Sequence, residues 1–144
     1  LGGDGNDSVL AGSGSDFVSG GAGADTIDGD VGDDTIDGGT GNDTISISSL
    51  TSGDSIDGGE GIDTLTIGTI SSDSTPSGIA NVETLNVTTI GGGSTAITVD
   101  LTKVSTITGL TTTNNQASST LTIKNLPSTF KSMTLTDTGA AGDT

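Results

Sequence analysis

Residues 2–10 read GGDGNDSVL, and the stretch recurs with variations as 11–19 AGSGSDFVS, 20–28 GGAGADTID, 29–37 GDVGDDTID and 38–46 GGTGNDTIS. An irregular eleven-residue unit, ISSLTSGDSID, fills 47–57, and the nine-residue period returns at 58–66 as GGEGIDTLT. A short fixed period marks a repeat architecture, in which one unit buries its apolar side chain only by stacking on its neighbours. One acid holds the same place in all seven units: Asp7, Asp16, Asp25, Asp34, Asp43, Asp54 and Asp63. Two residues on, each unit has an aliphatic: Val9, Val18, Ile27, Ile36, Ile45, Ile56 and Leu65.

Each column has a physical reason. Glycines concentrate at the first, second and fourth positions: Gly2, Gly3 and Gly5; Gly12 and Gly14; Gly20, Gly21 and Gly23; Gly29 and Gly32; Gly38, Gly39 and Gly41; Gly58, Gly59 and Gly61. There they permit a tight turn with φ > 0 and let carbonyls converge. The triplet after each Asp, such as Thr26-Ile27-Asp28, alternates polar, apolar, polar, which predicts a three-residue strand with one inward side chain. Two units then make a coil of eighteen residues, with a strand on each face and the aliphatics meeting between them. The predicted fold is all-β, a parallel β-roll or β-solenoid.

Units an even number apart stack about 4.8 Å from one another. Asp7, Asp25, Asp43 and Asp63 then form one column, and Asp16, Asp34 and Asp54 the other. Like charges about 5 Å apart repel by roughly 0.8 kcal/mol in water and ~3 kcal/mol at an effective dielectric of 20. The columns need a counter-charge. Carboxylates and converging carbonyls are hard oxygen ligands, which suit Ca²⁺ with its loose shell of six to eight oxygens. Mg²⁺ demands an octahedron and keeps its waters, while zinc and copper favour His or Cys, of which the chain has none.

Composition fits this reading and excludes others. Of 144 residues only 28% are hydrophobic, and 19 acids against three bases give a net charge of −16. Low apolar content with high charge is also the signature of a disordered linker, but scattered acids would not fall in columns. The charge repels nucleic acid and anionic membranes. Without Cys or His, a disulfide framework and thiol or imidazole catalysis are excluded. No apolar run approaches the ~18 residues of a membrane span.

The units GGDGNDSVL, GGAGADTID, GGTGNDTIS and GGEGIDTLT resemble the RTX nonapeptide GGxGxDxUx, with U aliphatic, a calcium-binding parallel β-helix repeat. The resemblance covers 2–66. It implies an ion between turns one coil apart, the Asp of each turn bridging ions above and below and carbonyls of the first four positions completing the cage. The implied pairs are Asp7/Asp25, Asp25/Asp43, Asp43/Asp63, Asp16/Asp34 and, weakly, Asp34/Asp54, for about four to six ions. Asp30 replaces a second-position Gly, straining its turn or adding a ligand, and Ala11 replaces a first-position Gly. The unit 47–57 keeps only Gly53 of the glycine cradle, so a two-residue bulge and a weak or missing ion are expected there. Asp4, Asp28, Asp37, Asp57 and Glu60 are expected on solvated surface.

Composition changes near residue 66. Residues 1–66, read as the calcium-binding roll, hold 14 of the acids, 17 of the 25 Gly and no base. Residues 67–144, read as a second β domain, hold 20 Thr, 10 Ser and all three Lys (Lys103, Lys124 and Lys131). Short β-type segments recur there at 82–88, 96–101, 104–110, 119–125 and 132–137, with turns at Gly91 to Gly93, Thr111 to Asn115 and Asn125 to Ser128. Either the solenoid continues with longer, metal-free coils, or a small β-sandwich packs on its end. Leu1 at one end and GAAGDT (139–144) at the other read as open solenoid ends, as expected of a segment of a longer chain.

The stretch 79–87, IANVETLNV, directly after RTX units, resembles RTX-type surface-layer proteins of Gram-negative bacteria. That resemblance implies a structural segment of a secreted, calcium-dependent surface-layer or extracellular matrix protein, at the bacterial cell surface. Its partners would be copies of itself in a lattice or fibre, with a cell-surface glycan as a further partner. The alternative is a passive RTX module of a type I-secreted adhesin, toxin or enzyme whose activity lies elsewhere. No enzymatic role is expected: three isolated Lys and no Arg make a poor catalytic set, and carboxylates in a regular array serve as ligands. A Thr array that orders ice is absent from the roll, where the third position runs Asp4, Ser13, Ala22, Val31, Thr40 and Glu60.

Overall fold

A computed structural model describes residues 1–70, 78–90, 97–100, 106–114 and 121–137. These form fourteen strands: β1 (Gly3–Asp4), β2 (Ser8–Leu10), β3 (Phe17–Ala22), β4 (Thr26–Asp30), β5 (Thr35–Thr40), β6 (Thr44–Ser49) and β7 (Ser55–Asp57), then β8 (Thr64–Ile70), β9 (Ile79–Ala80), β10 (Thr84–Ile90), β11 (Ile97–Asp100), β12 (Gly109–Asn114), β13 (Leu121–Lys124) and β14 (Ser132–Asp137). No helix occurs among the described residues, and so none long and apolar enough to cross a membrane. The fold is an all-β, parallel β-solenoid.

Odd strands β1, β3, β5, β7 and β9 line up in one sheet, and even strands β2 to β14 in another; β11 and β13 make a third, two-stranded sheet. Every pairing is parallel, because each coil returns to the same face in the same direction. The first coils pair residues eighteen apart, as in Val18↔Ile36 and Ile27↔Ile45. The next pair residues twenty apart, Ile36↔Ile56, Ile45↔Leu65 and then Leu65↔Leu85. Later coils lengthen further, with Thr84↔Gly109 and Ile97↔Leu121. One irregularity interrupts the ladder, a slip between Asp28 and Asp30 where β4 meets β6.

Alternation along the strands sends one aliphatic per triplet inward, so the core is a stack of like side chains. Val18, Ile36, Ile56 and Ile79 come from the odd sheet, and Ile27, Ile45, Leu65, Leu85 and Leu110 from the even one; all are buried. A second even-sheet column, Ile47, Ile67 and Val87, is buried beside it and continues into Thr112. It exists because β6, β8 and β10 run on past the triplet, where β2 ends at Leu10.

Past residue 66 the solenoid, not a sandwich, is what the described strands build. The composition change falls inside β8, and β10, β12 and β14 add to the same even sheet. The expected strands at 82–88, 96–101, 119–125 and 132–137 correspond to β10, β11, β13 and β14. The expectation at 104–110 needs correcting: the strand there is β12, and Thr111 to Asn114 lie in it rather than in a turn. Consecutive Thr favour extended backbone, and pairing of all four with β14, and of Thr111 and Thr112 also with β10, settles the matter. The expected turns at Gly91 to Gly93 and the terminal GAAGDT lie outside the described residues.

Candidate metal centre

Two edges of the roll carry the glycine turns. Turns 2–7, 20–25, 38–43 and 58–63 lead from the odd to the even sheet, and turns 11–16, 29–34 and 47–54 lead back. Glycine is required where coils touch. Gly39 has φ +104°, and a Cβ there would collide with the carbonyl oxygen of Gly21 one coil below. Gly21 stands in the same relation to Gly3, at φ +110°. Asp30, at a second position, is forced to φ +65°. Its Oδ1 accepts the Ser48 hydroxyl at 2.7 Å, so that carboxylate oxygen is engaged outside the turn.

The aspartates form ladders through one oxygen each. Asp25 Oδ1 accepts the Asp7 N–H at 2.7 Å, Asp43 Oδ1 the Asp25 N–H at 2.8 Å, and Asp63 Oδ1 the Asp43 N–H at 2.8 Å. On the other edge Asp34 Oδ1 accepts from Asp16 at 3.0 Å, and Asp54 Oδ1 from Asp34 at 2.9 Å. The second oxygen is different. Oδ2 of Asp7, Asp16, Asp25, Asp34, Asp43 and Asp63 is buried without a hydrogen-bond partner. Asp25, Asp34, Asp43 and Asp63 are at most 2% exposed.

On the odd-to-even edge those oxygens stand beside backbone carbonyl oxygens. The same point beside Gly20 is flanked by Asp25 Oδ2 and the Gly38 carbonyl; beside Gly38, by Asp43 Oδ2 and the Gly58 carbonyl. Gly2 repeats the arrangement with Asp7 Oδ2 and the Gly20 carbonyl. Among the described residues no three acidic side chains converge, so a metal held here draws on carbonyls for most of its shell. Burial pushes the Asp34, Asp43 and Asp63 carboxyls above the usual carboxylate range. The N–H bonds from Asp16, Asp25 and Asp43 oppose that shift, and neighbouring carboxylates (Asp16, Asp33 and Asp54; Asp25 and Asp37; Asp43, Asp57 and Glu83) add to it.

A carboxylate oxygen buried with no donor is expensive, so each site requires a proton or a cation. Hard oxygens drawn from carboxylate and carbonyl fit calcium. The irregular unit departs from the pattern. Asp54 Oδ2 accepts the Thr51 N–H at 2.8 Å, and beside Gly29 the Asp34 Oδ2 is accompanied by the Ile36 and Ile47 side chains rather than by a carbonyl. Of the remaining acids, Asp4, Asp37 and Glu60 are exposed, while Asp28 and Asp57 are half-buried, their Oδ1 atoms accepting the Asp30 and Gly59 N–H groups.

One rung escapes the nine-residue count. Glu83 Oε2 accepts the Asp63 N–H at 2.8 Å, as Asp63 Oδ1 does for Asp43. The signal was the tripeptide Glu83-Thr84-Leu85, which follows the acid-Thr-Leu order of Asp63-Thr64-Leu65, its Thr and Leu pairing with Thr64 and Leu65.

The family model of the RTX calcium-binding nonapeptide repeat (four copies) matches the chain over residues 1–36, 10–45 and 51–66. No curated protein and no solved structure shows significant similarity to the chain.

Proposed function

From the premise that the chain carries RTX calcium-binding nonapeptide repeats in residues 1–45 and 51–66, we propose that it is a structural segment of a secreted surface-layer or extracellular matrix protein, rigidified and assembled by calcium. Repeats of this kind are calcium-binding structural modules, typical of secreted proteins. The observation that carries the calcium step is the row of buried Oδ2 atoms without donors. Bound calcium supplies the positive charge that lets these carboxylates stay ionised. The chain's own residues hold the coils in register: Oδ1 caps the N–H below, the glycines admit the carbonyls, and the aliphatics close the interior.

Support for a structural role comes from the way the even sheet continues beyond the repeats to β14 as a stack of parallel coils. Four to six ions and no catalytic residues belong to this reading. In low calcium the roll remains unfolded; at millimolar calcium outside the cell it folds. With ~1 mM free ion and ~0.1 mM affinity each site adds about 1.4 kcal/mol, so about five sites equal an ordinary domain's stability. Circular dichroism in calcium and in EGTA tests this step, and a β signal unchanged by chelation sinks it. Sedimentation tests the assembly step: calcium-dependent lateral association supports a lattice, whereas a strict monomer favours a passive module of an adhesin, toxin or enzyme.

A further inference from the structure

The ion column has a rung beyond the repeats. On the odd-to-even edge each first-position carbonyl flanks the same point as the Oδ2 of the coil before it: Gly20 with Asp7, Gly38 with Asp25, Gly58 with Asp43. The series does not stop at Asp63. Beside Gly58 the flanking atoms are Asp63 Oδ2 and the carbonyl oxygen of Asn81. Asp63 is fully buried, and its Oδ2 has no hydrogen-bond partner. Above it Glu83 holds the Asp63 N–H through Oε2, the contact every upper aspartate makes to the rung beneath.

We infer that Asp63 Oδ2, the Asn81 carbonyl and the Glu83 carboxylate form a terminal calcium site between the last glycine turn and the turn 81–83. This inference rests on the calcium reading above and extends it to residues outside the nonapeptides. The upper half of the site is short, because three residues, Asn81-Val82-Glu83, stand where 58–63 has six. It therefore offers fewer carbonyls than an interior site, and calcium affinity follows ligand number and charge. The terminal ion binds more weakly than those below and fills last. One hydrogen bond and the local backbone conformation set the turn for it. Asn81 Nδ2 donates to Asp57 Oδ1 at 2.7 Å, and the Asn81 backbone takes φ +49°, a conformation Asn tolerates.

Ion counting by native mass spectrometry of the whole 144-residue chain, in excess calcium, tests the site through Glu83→Gln. Glutamine keeps an acceptor for the Asp63 N–H and removes the charge. The variant is expected to retain the calcium-induced β signal and to bind one ion fewer, or to bind its last ion about tenfold more weakly. An unchanged count and titration overturn the inference. A wild-type chain that binds no calcium overturns the calcium reading itself. Crystals of the wild-type chain grown in terbium decide the case independently of how the variant folds. An anomalous peak between Asp63 and Asn81 supports the site; peaks at the lower rungs without one there refute it.

Discussion

Turns 58–63 and 81–83 lie one above the other on the same edge and do the same work with opposite chemistry. The lower spends six residues, three of them glycine, and buries a carboxylate. The upper spends three, none of them glycine, and buries Val82. Val82 N–H donates to the Thr106 hydroxyl at 3.1 Å, so a side chain of the next coil satisfies that backbone group. The strands that follow, β8 and β10, pair in perfect register. Sheet and aliphatic column thus persist through the change, while the buried carboxylate oxygens without a donor, among the described residues, all sit in the glycine turns.

The strongest way to break that contrast is the double substitution Asp25→Asn, Asp43→Asn. It removes two buried charges from one column and is expected to lower calcium affinity by more than about tenfold and to flatten cooperativity, read by calorimetric titration. Gly39→Ala comes next. It places a Cβ against the Gly21 carbonyl at φ +104°, and should cost about 2–4 kcal/mol in calcium-saturated unfolding. Val82→Ala sharpens the contrast from the other side: a cavity cost of about 1–2 kcal/mol, with calcium affinity of the interior rungs unchanged.

Acidity gives a further handle. The Asp34, Asp43 and Asp63 carboxyls are raised by burial above their unfolded value of 3.8, so the ion-free fold binds more protons than the unfolded chain. The stability these three groups contribute is present below pH 3.8 and is lost as pH rises through the folded values; a β signal in EGTA should fade along that course. A signal that strengthens with rising pH in EGTA contradicts this. The smallest effect belongs to Asp28→Asn with Asp37→Asn, whose side chains lie outside the oxygen columns. Stability and calcium affinity there should move by less than about 0.5 kcal/mol.

The period made the roll legible, because Asp and aliphatic columns are set by chemistry that each coil must repeat. Asp7 to Asp63 could be placed on two edges from spacing alone, and the structure stacks them so. What spacing could not show is what one coil does to another. Glu83 takes the place of an aspartate after the turn has shrunk by three residues, so counting in nines passes over it. The Thr51 N–H that occupies Asp54 Oδ2 depends on how a two-residue insertion folds back. Thr111 to Asn114 became strand because β14 paired with all of them and β10 with the first two, a fact that local polarity hides.

Amide hydrogen exchange compares the two regions in one experiment. The N–H groups of Asp7, Asp16, Asp25 and Asp43, each held by an aspartate one coil on, should gain at least about a hundredfold protection when calcium is added. If those four amides exchange equally slowly in EGTA and in calcium, the columns need no cation and the account is wrong.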